Sequence, residues 1–223
     1  GLDLLPQVSI SSFVAVDSVQ LFTRVPLDGL RRVAVTAKSA TSVCLLRILC
    51  GAWGIDPEFT VCRGVMADAF AEYDGLLLIG DEALSVLRAE VFARHFDLGG
   101  EWYGMTGFPM VFAVCAARRE FVAARPAAAA AVGAALLASR DECAAHPLET
   151  AAAAALRYDF SQKYLLEYFD KLKFGFAPEY RAGLAEFYRR AAAIGELDAV
   201  PDLSPVSMSE AALAPSAGGA GGP

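Results

Sequence analysis

The sequence predicts an α/β protein built on a mostly parallel sheet. Two observations carry that expectation. Between residues 18 and 118 the hydrophobic pattern alternates between strand-like and helix-like periods, with Gly, Pro and Asp punctuating the changes. From about residue 119 the strands stop and alanine-rich helical stretches take over. Strands that alternate with helices imply βαβ units, whose crossovers place neighbouring strands parallel.

The first strand-like run is SVQLFTRV over 18–25, closed by a turn at 26–29. RRVAVT (31–36) is a short β-branched strand. From Ser39, SATSVCLLRILCGAWG reads as a helix that stops between Gly51 and Gly54. PEFTVC (57–62) predicts the next strand, MADAFAEY (66–73) a short helix, and DGLLLIG (74–80) an apolar strand bounded by turn residues. EALSVLRAEVFA reads helical and leads into DLGGEWYGMTGFPMVFAV (97–114), a glycine-rich aromatic loop followed by a strand. Three helical stretches then lie near 123–143, 148–172 and 178–194, the last opened by Pro178 and Glu179. The end of the chain, 198–223, is rich in Pro, Ser, Ala and Gly and is expected to be disordered.

Composition excludes several function classes. The net charge of −7 and the isolation of basic pairs such as Arg31-Arg32 and Arg189-Arg190 argue against nucleic acid as a partner. Mean hydropathy is high at +0.41, yet the longest apolar candidate, 126–139 between Arg125 and Arg140, is too short to cross a bilayer. The five cysteines occur singly, and the two histidines, His95 and His146, have no partner at ligand spacing. Buried free thiols in a reducing compartment are therefore expected, with no zinc site. His95, between Arg94 and Phe96, reads as a surface or packing residue.

Three segments could carry chemistry. Ser39 is a candidate N-cap, with Thr41 and Ser42 in the first turn. Free amides at a helix start, the positive dipole end and nearby hydroxyls suit a carboxylate, although simple capping explains the same residues. Gly80-Asp81 follows an apolar strand, where ligands of open α/β sheets gather. Asp81 could orient a hydroxyl, act as a base or merely cap the next helix. The third segment, 97–114, is either the rim of a cleft or a connection packed by its own aromatics. Thr106-Gly107 there offers a hydroxyl and an amide, and Trp102 could be a stacking platform or a hinge plug.

Taken in order, SISSFVAVDSVQLFTRVPLDGL, RRVAVTAKSATSVCLLRIL, GLLLIGDEAL, DLGGEWYGMTGFPMVFAV and YLLEYFDKLKFGFAPEYRAGLAEFYRRA resemble the chorismate dehydratase family of the futalosine menaquinone pathway. The resemblance implies a type II periplasmic-binding-protein-like two-lobe fold used as a cytoplasmic enzyme, a carbon-oxygen lyase without cofactor or metal. It implies elimination of water from chorismate, a small dicarboxylate, to give 3-[(1-carboxyvinyl)oxy]benzoate. On this sequence it implies substrate contacts from Ser39, the amides around Ala40, Thr41, Asp81 and Thr106-Gly107, with Ser18 near a crossing between lobes. The lobes implied are 1–25 with 108–197, and 26–107. The family's N-x-L-P loop, whose asparagine is implicated in the chemistry, has no counterpart, for this chain contains no asparagine. The chain also begins with Gly1, so a preceding segment that completes the first lobe is expected. Without it, an exposed apolar sheet face, poor stability and no activity are expected. Two alternatives stand beside this reading, the related 1,4-dihydroxy-6-naphthoate synthase and a non-enzymatic small-anion solute-binding protein.

Overall fold

The computed structural model describes residues 1–62 and 71–203. The helix expected over 66–73 and most of the tail expected to be disordered lie outside them or across their edge. Two sheets organise the described chain. The larger has the order β4-β3-β5-β2-β6, formed by β2 (Val19–Thr23), β3 (Arg32–Thr36), β4 (Glu58–Cys62), β5 (Gly75–Ile79) and β6 (Arg94–Asp97). The smaller pairs β1 (Leu2–Ser12) with β7 (Met110–Arg118).

The larger sheet is mixed, where a mostly parallel one was expected. β3 runs parallel to β4 and β5, but β2 is inserted antiparallel between β5 and β6. The reason is that the chain enters β2 from the smaller sheet at the edge where β5 ends, with Val19 opposite Ile79, so β2 runs against the parallel strands. β2 belongs wholly to this sheet, although the sequence reading grouped residues 1–25 with the other lobe. The first crossing between sheets is therefore the stretch 13–18.

Alternate residues of the central strands feed two different cores, as the strand period of two requires. Leu21, Val33, Val35 and Leu77 face α1 (Ala40–Trp53), α3 (Leu98–Thr106) and α8 (Pro178–Ala193), where they meet Leu45, Leu49, Trp102 and Phe187. Phe22, Ala34, Leu76 and Leu78 face α2 (Gly80–Arg88) through Ala83. Burial on both faces explains why these strands read as unbroken apolar runs.

α1 begins and ends where the sequence predicts. Ser39 caps it by accepting from the Ser42 amide at 3.1 Å, and Gly54 closes it in the left-handed region at φ 71°. The later helices are more divided than the periodicity suggests. Pro126 separates α4 (Arg119–Ala124) from α5 (Pro126–Ala145), because a proline amide cannot continue the ladder. A turn at 156–161 separates α6 (Pro147–Ala155) from α7 (Gln162–Lys171).

The segment expected to be a glycine-rich loop is instead the end of β6 and the whole of α3. Asp97 caps α3 by accepting from the Gly100 amide at 3.0 Å, and Gly107 closes it at φ 72°. Glycine lowers helix propensity by about 1 kcal/mol per residue, but tertiary packing overrides that here. A Cβ at Gly99 would lie 2.8 Å from the Val14 carbonyl oxygen, so the first crossing passes directly against this helix. Gly183 serves similarly on α8, since a Cβ there would sit 2.2 Å from the Pro109 carbonyl oxygen on the return crossing.

All five cysteines are free. Cys44 and Cys50 are buried, and burial pushes their thiols up to about 11 and about 12. Cys143 is exposed, contrary to the expectation of burial, because α5 packs by only four residues. Among the described residues no helix is long and apolar enough to cross a membrane. On the smaller sheet and the crossing after it, Leu2, Ile10, Phe13 and Val14 are exposed.

Candidate functional site

The parallel strands β3 and β5, and β6 beyond β2, all end at one edge of the larger sheet. Each is followed at once by a helix. Register places Val19 of β2 opposite Ile79, and Gln20 opposite Asp97, so the antiparallel β2 starts at the same edge. Ser18, Gly80-Asp81 and the start of α1 are therefore brought together within a few strand spacings, each about 4.8 Å. The Gly80 amide donates to the Ser18 carbonyl at 2.8 Å, which fixes the entry of α2 against the start of β2.

The three helix starts at this edge differ in what they leave open. At α3, Asp97 fills the N-terminus itself. Its carboxylate also accepts from the amides of Val16 at 2.9 Å and Asp17 at 2.6 Å, and from Gln20 Nε2 at 2.6 Å. Burial pushes the Asp97 carboxyl up, while the amides of Gly100, Asp17 and Val16 pull it back down. That residue is a fastener between the crossing and the sheet, not an open site.

At α1, the Ser39 hydroxyl is engaged by the Ser42 amide and lies 2.8 Å from the Ser42 hydroxyl. The amides of Ala40 and Thr41 precede the first intrahelical donor, Val43, whose amide reaches the Ser39 carbonyl, and have no hydrogen-bond partner among the described residues. Thr36 Oγ1 holds the turn before them by accepting from the Lys38 amide at 3.1 Å. At α2, no side chain caps the helix, and the exposed Asp81 stands in its first turn. An anion at this edge would meet two helix dipoles at their positive ends.

Thr106 and Gly107 present differently from the sequence expectation. The Thr106 hydroxyl donates to the Trp102 carbonyl at 2.8 Å and accepts from the Phe108 amide at 3.1 Å. The Gly107 amide donates to the Tyr103 carbonyl at 2.8 Å. These groups close α3 and leave no donor free. Trp102 is neither platform nor rim. It is fully buried, its Nε1 donating to the Pro109 carbonyl at 3.4 Å. His95 sits on β6, 3.3 Å from Gln20 Oε1 and beside the Phe22 ring, as a packing residue.

Four residues near the edge escaped the sequence reading. Asp17 has φ 59°, a strained setting for a non-glycine residue, and its carboxylate pairs with Lys171 of α7. Tyr168 lies one turn before Lys171 on α7. Burial pushes its phenol up, with Asp81 and Asp17 adding to the effect. Tyr164 lies one turn earlier, under the guanidinium of Arg88 at 5.2 Å. The spacing Tyr164, Tyr168, Lys171 is one helix face, a signal that could have been found. What it faces could not.

The family model described as menaquinone biosynthesis matches residues 1–193. Over 135 residues the chain is 38% identical to the chorismate dehydratase of Thermus thermophilus, a match covering 54% of this chain and 49% of that protein. The chain thus spans about half the length of that curated relative. Among solved structures, a protein from Archaeoglobus fulgidus aligns with a TM-score of 0.55 at 18% identity, over 87% of this chain and 73% of its own. The periplasmic aliphatic sulphonate binding protein of Escherichia coli aligns with a TM-score of 0.52 at 18% identity, over 90% and 70%. These two likenesses concern the fold alone, and the second is consistent with the two-lobed periplasmic-binding-protein-like fold that the resemblance implies. With its model matched along nearly the whole described chain, the protein belongs to the menaquinone-biosynthesis family.

Proposed function

We propose that the protein is a chorismate dehydratase, eliminating water from chorismate to give 3-[(1-carboxyvinyl)oxy]benzoate. The observation that carries this reading is the pair of open helix starts, α1 and α2, at one sheet edge in a chain of the menaquinone-biosynthesis family. Chorismate carries two carboxylates. One is held by the Ala40 and Thr41 amides and the Thr41 hydroxyl, with Ser39 keeping that turn in shape. Ser18 and Asp81 face the ring hydroxyl region from the neighbouring strand ends. Loss of a ring proton and of the hydroxyl is driven by aromatisation, and closure of the lobes excludes water from the reacting ring. Free thiols fit a reducing cytoplasm.

The test is incubation of the full-length protein with chorismate and no added metal, followed by ultraviolet absorbance and mass analysis. An aromatic enol-ether product is expected, and no product at high enzyme concentration would sink the reading.

Thr41→Val should weaken chorismate binding about tenfold, the worth of one hydrogen bond to a charged group. The melting temperature should stay within about 2 °C of the parent, since Ser39 and not Thr41 caps the helix. Isothermal calorimetry and a thermal melt separate the two effects. A large drop in melting temperature with unchanged affinity would assign Thr41 to the fold alone.

A further inference from the structure

The stretch that carries the chain from the smaller sheet into β2 ends in a strained turn, one residue before Ser18. Asp17 has φ 59°, and the Ser18 amide donates to the Val16 carbonyl at 2.7 Å. Those are the marks of a γ-turn of the positive-φ kind, which is rare and strained. Such backbone persists only where its surroundings fix it. Here they do so three times. Asp97 accepts from the amides of Val16 and Asp17, the Ser18 carbonyl accepts from the Gly80 amide, and the Asp17 carboxylate pairs with Lys171 at the end of α7.

Lys171 brings a second connection between the sheets into this arrangement. α7 packs through Leu165 on Leu84 of α2, on the side of the larger sheet. Two residues beyond Lys171, Lys173 exchanges backbone hydrogen bonds of 2.8 and 2.9 Å with Ser11 of β1. The first crossing and the segment after α7 are thus tied twice, at Ser11–Lys173 on the smaller sheet and at Asp17–Lys171 beside the candidate site. Glycine would make the same turn at no steric cost. What aspartate adds is a carboxylate, and the partner of that carboxylate is Lys171.

We propose that Asp17 and Lys171 are positioning residues for the substrate contact at Ser18. The Ser18 amide is engaged by Val16 and its carbonyl by Gly80, so the side-chain hydroxyl is the group that the backbone leaves for a ligand. The γ-turn sets where that hydroxyl stands at the sheet edge. The ion pair ties its place to the segment that returns from α7 to the smaller sheet.

This inference rests on the chorismate dehydratase reading. The experiment is steady-state kinetics of the full-length protein with chorismate for the parent and each variant, with a thermal melt of each. Asp17→Gly removes the carboxylate but accepts positive φ, so KM should rise about tenfold with kcat within about threefold, the signature of lost positioning. Its melting temperature should fall by less than about 3 °C, because released strain offsets the lost pair. A merely structural residue would move the melt and not KM. Lys171→Met should raise KM about fivefold at the same melting temperature, since a partly exposed pair adds little stability. Lys171→Arg, which keeps the cation, should keep the parental KM. The double variant Asp17→Gly/Lys171→Met should be no worse than Asp17→Gly alone, because both changes remove one interaction. Parental KM in Asp17→Gly, a KM in Lys171→Arg as high as in Lys171→Met, multiplicative losses in the double variant, or a larger fall in the melt would each overturn the proposal while leaving the dehydratase reading intact. Absence of turnover by the parent would overturn both.

Discussion

Trp102→Ala is expected to destabilise the protein by about 3–5 kcal/mol, the cost of removing a large aromatic side chain from a core that cannot collapse around the gap. The indole is fully buried and meets Phe187 of α8 edge-on at a centroid distance of 6.1 Å. The Arg190 guanidinium lies 6.0 Å from its ring, and its Nε1 donates to the Pro109 carbonyl. It therefore joins α3, α8 and the return crossing at one point, and alanine would leave the Pro109 oxygen without that donor. Chemical denaturation measures the loss, which should appear in the midpoint with little change in slope. A loss under about 1 kcal/mol would show that the site is far looser than its burial indicates. Trp102→Phe, which keeps most of the apolar contact, should recover the larger part.

Asp97→Ala should cost about 3 kcal/mol, for a different reason. The carboxylate collects donors from two amides of the first crossing, from the Gln20 side chain and from the Gly100 amide. Removing it leaves these partly buried donors without an acceptor, and each orphan costs roughly 1 kcal/mol or more. The α3 cap is lost as well. The crossing then loses what holds Asp17 in its left-handed conformation, and Ser18 follows it out of place. Denaturation and chorismate affinity should both fall. Asp97→Asn keeps one acceptor oxygen and should show a smaller loss of stability. Stability and affinity both unchanged in Asp97→Ala would mean that the crossing is held by the sheets alone.

Much of the candidate site was legible in local chemistry. Ser39 precedes a long apolar-periodic stretch and caps it, and Gly80-Asp81 follows a strand that is buried on both faces. Such signals lie within a few residues of one another, so composition and spacing reveal them. The segment 97–106 was misread because four glycines within eleven residues lower helix propensity and invite a loop. α3 survives through Asp97 at its start and Trp102 in the core, which are tertiary facts. β6 escaped notice because RHFD has four residues and no apolar alternation, and it exists because β2 offers an open edge.

By itself the sequence determined the α/β class, the start and end of α1, the apolar central strands and the family resemblance, because each depends on periodicity, caps or ordered blocks along one chain. Only the tertiary structure decided the antiparallel insertion of β2, the helical state of 97–106 and the meeting of Lys171 with Asp17. That last contact joins residues 154 positions apart. No local rule encodes it, since it arises when α7 packs on α2 and the first crossing is drawn against Asp97.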